Sequence, residues 1–107
     1  MKTVKEVLTE ARSLIETGWI KGKLCDDERI CFCSEGAIRY AALGEMFYDG
    51  TASEYAKRDR WTNVFAAEGA LVDVIYPAYN NVADWNDAPD TTHEDVYNAF
   101  TRAIEAC

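Results

Sequence analysis

The chain has 107 residues, which is the size of one domain, because two halves of it would each be too small to bury a stable core. Hydrophobic residues make up 49% and charged residues 28%, close to the globular average, which excludes wholesale disorder. The net charge of −8 argues against nucleic-acid binding over a broad surface, which needs clustered lysine and arginine. No apolar run is long enough to span a membrane.

The charge is unevenly distributed. Residues 1–60 hold 10 basic and 11 acidic side chains, whereas residues 61–107 hold 8 acidic side chains and a single basic one, Arg102. This acidic half either serves solubility or is presented to a basic partner. The N-terminal residues begin an amphipathic pattern and not an apolar segment, so we expect no signal peptide and a cytosolic protein.

Three of the four cysteines, Cys25, Cys31 and Cys33, lie close together, but they lack the C-x2-C spacing of structural zinc sites. The chain has one histidine, His93, that could join them. We therefore expect reduced, free thiols, no metal and no cofactor.

Two amphipathic helices are predicted in the first half. Residues 3–17 show an apolar stripe at helical spacing with a capping box of Thr3 and Glu6, and Gly18 suits a left-handed C-terminal cap. Ser34 is the predicted N-cap of a second helix, residues 35–43, that ends at Gly44. Residues 19–33 between them form either a short β-hairpin or an extended crossing segment.

Helical patterns also cover most of the second half. Residues 48–50 are a predicted turn and residues 51–54 a capping box, followed by a helical region to Tyr76 that is either one helix or two with a kink. Pro77 ends it, and residues 77–92 form a long polar loop that Trp85 anchors. Thr92 and Asp95 then cap the last helix.

Several short motifs recur in one group of sequences. They are Gly18-Trp19, Cys33, Gly36-Ala37-Ile38, Ala41, Trp85-Asn86-Asp87, Asp95-Val96 and Ala103-Ile104. In these motifs the chain resembles an uncharacterised family of small bacterial and phage proteins. The resemblance covers most of the chain and implies a shared fold, but no chemistry.

The motif Trp85-Asn86-Asp87 has two interpretations. Its polar side chains either form an Asx turn, or lie at the edge of a pocket floored by Trp19 and Trp85. Aromatic rings with one amide and one carboxylate can recognise a nucleobase or a ribose. We favour the structural turn for Asn86 and a ligand contact for Asp87.

The only basic cluster is residues 57–61. It is either a solvated helix face, or Arg58 and Arg60 bind a phosphate while Trp61 stacks on a base. Arg39 on the second helix would join them if it points outward.

These patterns predict a mostly helical single domain, residues 1–107, of about four helices. The favoured function is a non-catalytic binding protein, and the resemblance to phage proteins suggests counter-defence by sequestering a small nucleotide-like signal. The alternatives are an acidic module that occupies a basic surface of a host protein, in place of DNA, and a small enzyme using Cys33 and His93. Homo-oligomerisation is left open.

Overall fold

A computed structural model describes residues 2–48 and 54–107. This part of the chain is helical and contains no β-strand, which confirms the predicted fold class. The α-helices are α1 (Val4–Thr17), α2 (Ser34–Leu43), α3 (Glu54–Ile75), α4 (Val82–Asp87) and α5 (His93–Ala106), and a 3-10 turn (Gly44–Phe47) follows α2. None of the described helices is both long enough and apolar enough to cross a membrane.

One hydrophobic core holds the helices together. Helix α1 contacts α2, α3 and α5, and α3 crosses against α2 and α5. Each helix buries one stripe, as the 3.6-residue period requires. The fully enclosed side chains include Val7, Leu8, Ile15, Ile38, Val64, Leu71, Val96 and Phe100.

The predicted caps of α1 and α5 are confirmed. The hydroxyl of Thr3 accepts from the Glu6 amide while the Glu6 carboxylate accepts from the Thr3 amide, and Thr92 and Asp95 do the same at α5. The prediction for Gly18 was wrong, because its φ of −173° is extended. A Cβ there would lie 2.7 Å from Cys31 Sγ, so glycine permits a close approach of two chain segments.

Helix α2 begins one residue earlier than predicted. Its N-cap is Cys33, whose Sγ accepts from the Gly36 amide at 3.3 Å, so Ser34 is the first helical residue. Gly44 ends the helix as predicted, with a left-handed φ of 61°. A Cβ on Gly36 would lie 2.0 Å from the Leu24 carbonyl oxygen, so residues 19–33 pack directly on the α2 backbone.

Residues 19–33 form no hairpin. Phe32 makes two isolated bridges, a parallel one to Trp19 and an antiparallel one to Cys25. The Asp26 carboxylate instead accepts from the Ile30 and Cys31 amides at 2.8 and 3.1 Å and closes a local turn. These bonds occupy amides that a paired strand would need.

The second half differs from the prediction in one helix. Helix α3 is a single helix, and Pro77 follows its end as predicted. Part of the predicted loop 77–92 is instead a short helix, α4. Its N-cap is Asn81, whose side chain accepts from the Asp84 amide at 2.8 Å. The described chain therefore has five α-helices where about four were predicted. The predicted turn at 48–50 and capping box at 51–54 lie largely outside the described residues.

Candidate functional site

Asn86 is the centre of a buried hydrogen-bond network. Its side chain is 1% exposed, and its Oδ1 accepts from the Trp19 indole N–H at 2.7 Å. The same oxygen accepts from the Ser34 amide at 2.9 Å and from the Ser34 hydroxyl at 2.6 Å. The Nδ2 donates to the Ile20 carbonyl and to Asp87. Every polar atom of the Asn86 side chain is used within the fold, but mainly by distant residues and not in the local Asx turn that we favoured from the sequence.

Asp87 lies at the edge of this network. Its Oδ1 accepts from the Gly22 amide at 2.9 Å and from Asn86 at 3.0 Å. Gly22 has a left-handed φ of 83°, so the carboxylate holds a tight bend of residues 19–33. Asp87 itself is exposed, and its contact with a ligand stays a prediction.

Trp19 does not line the cavity that Trp85 lines. Trp19 stacks on His93 with ring centroids 5.8 Å apart, and the Lys21 ammonium lies 5.4 Å from its ring. Trp85 is 6% exposed and lines a different cavity, described below. Within the Trp85-Asn86-Asp87 motif, Trp85 therefore lines a cavity, whereas Asn86 and Asp87 belong to the hydrogen-bond network.

The basic residues near α3 also contact different partners and do not form one cluster. Arg39 does reach Trp61, with its guanidinium 5.2 Å from the ring centroid. Arg60 turns the other way, and its Nη1 donates to the Leu43 carbonyl at 3.5 Å. The Lys2 Nζ donates to the neighbouring Ala41 carbonyl at 2.7 Å. Together Lys2 and Arg60 neutralise the C-terminal end of α2.

Arg39 lies between two carboxylates, which limits its use for phosphate. It pairs with Glu35 one turn earlier on α2, and its Nε lies 4.0 Å from Glu68 Oε1 on α3. Burial, and then the nearby Glu35 charge, raise the pKa of Glu68, while Arg39 opposes the shift. The charge of Arg39 is already compensated by these two carboxylates. Arg58 is exposed two residues before Arg60 and has no partner among the described residues.

The cavity that Trp85 lines lies between the end of α3, α4 and α5. It has a volume of about 340 Å³, within the size range of small-molecule sites. Apolar and aromatic side chains form its walls, and Asp95, Asn98 and Arg102 of α5 form a polar side. The lining residues are Val74, Ile75, Ala78, Tyr79, Trp85, Asp95, Asn98, Ala99 and Arg102.

Several hydrogen-bond donors beside this cavity are exposed to solvent. Within the described part of the chain, neither the Asn98 amide nor the Arg102 guanidinium forms a side-chain hydrogen bond or an ion pair. The Trp85 indole N–H has no protein partner there either, but unlike the unpaired indole N–H of Trp61 it is not enclosed. The Asp95 carboxylate is occupied in part, because its Oδ2 accepts from the Thr92 amide at 3.0 Å. A cavity rich in free donors suits a ligand rich in acceptors.

Most residues that line this cavity were not among the site residues predicted from the sequence. Trp85 was among them, but Tyr79, Asn98 and Arg102 were not. One signal was available, because Arg102 is the only basic residue after position 60 and lies one helical turn after Asn98. Positions four apart lie on the same face of a helix, so both side chains were predictable neighbours.

Cys33 and His93 have separate partners. Burial raises the pKa of the Cys33 thiol, which disfavours the nucleophilic thiolate. The His93 Nε2 lies 2.5 Å from the Ile15 carbonyl oxygen, so this nitrogen carries the proton. The four cysteines are free thiols, and no three His, Cys, Asp or Glu side chains of the described residues gather as metal ligands would.

The fold and the cavity together define a small helical domain with a donor-lined pocket. A family model matches residues 1–106, and the chain belongs to that family, DUF6197, a family of unknown function. No curated protein and no solved structure matches the chain.

Proposed function

We propose that this protein is a non-catalytic binding protein for a small anionic ligand with a planar ring. The observation that carries the proposal is the cavity beside α5, where the donors of Trp85, Asn98 and Arg102 have no partner among the described residues. Asn98 and Arg102 are exposed, so their donors face solvent and are available to a ligand. A ligand that supplies acceptors would pair with these donors in place of water.

The charge of the cavity favours a singly charged ligand. Arg102 supplies one positive charge and Asp95 one negative charge, and the surrounding residues 61–107 are acidic. A polyanion would be repelled by this field, whereas one phosphate or carboxylate can pair with the guanidinium. The cavity volume suits a mononucleotide or a ring of similar size.

The ring would lie against Tyr79 and Trp85, and the Asn98 amide can recognise the edge of a base by both donating and accepting. Sequestration of a nucleotide-like signal during phage counter-defence is the use of such a pocket that the resemblance to phage proteins favours. Trp19, Arg39, Arg58, Arg60 and Trp61 do not line this cavity, so the proposal moves the site away from them.

Calorimetry with nucleoside monophosphates, cyclic mononucleotides and inorganic phosphate tests the proposal. At least one nucleotide should give a saturable isotherm, and Arg102→Gln should weaken it about tenfold or more, because a charge-assisted hydrogen bond contributes about 1.5–3 kcal/mol. Asn98→Ala should weaken nucleotides but not inorganic phosphate.

Arg58→Gln is the matched control, because it removes an exposed guanidinium that does not line the cavity. A loss of binding in Arg58→Gln but not in Arg102→Gln would place the ligand at the basic cluster instead. A flat response of the wild type to the whole panel would overturn the nucleotide proposal. Mass spectrometry of ligand released from protein purified from its natural host would then identify what the cavity holds.

A further inference from the structure

One face of α3 forms a strip of side chains at the surface. We define the α3 strip as Trp61, Phe65, Glu68, Gly69 and Val72 of α3 together with Tyr76, the first residue after its end, and these residues follow one another at helical spacing. Phe65 is 64% exposed and Tyr76 is 65% exposed. Four large hydrophobic side chains of the described residues are exposed, and two of them, Phe65 and Tyr76, lie on this strip. Exposed aromatic side chains in one row are typical of a docking surface.

The two exposed aromatic residues are well placed as anchors. They are eleven positions apart, which is three helical turns, or about 16 Å. Phe65 is fixed by its contact with Trp61, with ring centroids 5.7 Å apart. Tyr76 is held by its amide, which donates to the Val72 carbonyl at 2.8 Å. Gly69 lies between the anchors, and a Cβ built there would meet nothing within 4 Å. The middle of the strip therefore has room for another chain.

The charge of the strip is negative. Residues 61–76 hold Glu68 and Asp73 and no basic residue. Glu68 has only a distant cation, since the nearest atom of Arg39 is 4.0 Å away and forms no hydrogen bond with its Oε1. Arg39 is shared with Glu35, so this cluster keeps one uncompensated negative charge.

A second copy of the chain is a poor occupant. Two α3 helices packed antiparallel on the strip would bring their Glu68 side chains together near Gly69, and each chain has a net charge of −8. Like charges placed opposite each other suppress such pairing. The complementary partner must carry basic residues beside apolar ones.

We propose that the α3 strip docks a basic amphipathic helix of another protein. Apolar residues of that helix cover Phe65 and Tyr76, and its lysine or arginine residues approach Glu68 and Asp73. The strip residues are not among those that line the cavity beside α5, and only Tyr76 lies next to its wall, at Ile75.

The probe for the test is a labelled helical peptide of about 18 residues, with leucines at helical spacing and flanking lysines. The matched peptide has glutamate in place of every lysine. Fluorescence anisotropy measures binding of both to the full chain and to the variants Phe65→Ala and Tyr76→Ala. Both substitutions remove exposed rings, so we expect the variants to fold, which circular dichroism checks. Ile30→Ala is the control, because Ile30 is 49% exposed and lies outside the strip.

The basic peptide should bind saturably, and each strip variant should bind it about tenfold more weakly, while Ile30→Ala binds as the wild type does. Added salt should weaken binding, and the acidic peptide should not bind. Equal binding of both peptides, or unchanged binding by the two strip variants, would overturn the proposal. Sedimentation showing wild-type dimers that Phe65→Ala abolishes would assign the strip to a second copy instead.

Discussion

The side-chain oxygen of Asn86 lies 2.7 Å from the indole Nε1 of Trp19, and so joins two residues 67 positions apart in the chain. The same oxygen holds the first residue of α2 through Ser34. One amide therefore fixes the end of α1, the start of α2 and the whole of α4 relative to each other.

Asn86→Ala should strongly destabilise the protein. The substitution leaves the Trp19 indole N–H and both Ser34 donors without their acceptor in a buried place. Unsatisfied buried groups cost about 1–3 kcal/mol each and do not add fully, so we expect a loss of about 3–5 kcal/mol in the free energy of unfolding. Urea denaturation measures it.

Asn80→Ala is the control for this change, because Asn80 is exposed and contacts only Asn81 through its side chain. We expect it to change stability by less than about 0.5 kcal/mol. Similar losses in Asn80→Ala and Asn86→Ala would show that the network adds nothing beyond an ordinary asparagine.

Two glycine-to-alanine substitutions should have opposite effects. In Gly36→Ala the new Cβ would lie 2.0 Å from the Leu24 carbonyl oxygen, which is backbone and cannot rotate away. We expect a loss of more than about 3 kcal/mol. In Gly69→Ala the new Cβ meets nothing within 4 Å, so higher helix propensity should stabilise α3 by about 0.5–1 kcal/mol. Thermal unfolding of both variants measures this, and two shifts of the same sign would contradict it.

The stability should depend on pH through Glu68. Burial and then the Glu35 charge raise the pKa of Glu68 in the folded protein, so the folded state holds this proton more tightly than the unfolded state does. The ionised carboxylate therefore weakens folding at neutral pH, and this penalty disappears as the pH falls through the raised pKa. Glu68→Gln lacks the penalty and should melt higher than the wild type at pH 7.

Differential scanning calorimetry from pH 7 down to acid conditions checks this, and the difference between Glu68→Gln and the wild type should shrink as the pH falls. Asp73→Asn on the same helix is the matched control, because Asp73 is exposed. Curves for Glu68→Gln and the wild type that stay parallel at every pH would refute the assignment.

Arg60 and Arg58 should differ although they are two residues apart. Arg60 donates to the Leu43 carbonyl at the end of α2, whereas Arg58 is exposed and borders no described partner. A cation at a helix C-terminus contributes about 0.3–1 kcal/mol. Arg60→Ala should therefore lower stability by about that amount, and Arg58→Ala should leave it unchanged. Equal losses in chemical denaturation would show that Arg60 does not cap α2.

Helix ends were predicted correctly where the capping residues lie close together in the sequence. The capping boxes of Thr3 with Glu6 and of Thr92 with Asp95 use residues three positions apart, so nothing outside the helix is needed to recognise them. The N-cap of α2 was misplaced because the Ser34 hydroxyl bonds to Asn86, 52 positions away. Such a contact has no signal in the neighbouring sequence.

The cavity was harder to predict because three elements form it. Trp85 comes from α4, which is too short to show a clear period, and Arg102 comes from α5. Arg60 and Trp61 appeared to form one cluster because they are adjacent in sequence. A helix turns 100° per residue, so neighbouring side chains point in different directions, and these two reach different partners.

The network around Asn86 also has a consequence for local opening. Its bonds reach Ile20, Ser34 and, through Asp87, the Gly22 amide. Unfolding of α4 alone would break all of these bonds together, so residues 19–33 lose their support when α4 leaves. In hydrogen exchange, the Gly22 and Ser34 amides should therefore become unprotected with the same opening free energy as the amides of α4, as members of one cooperative unit.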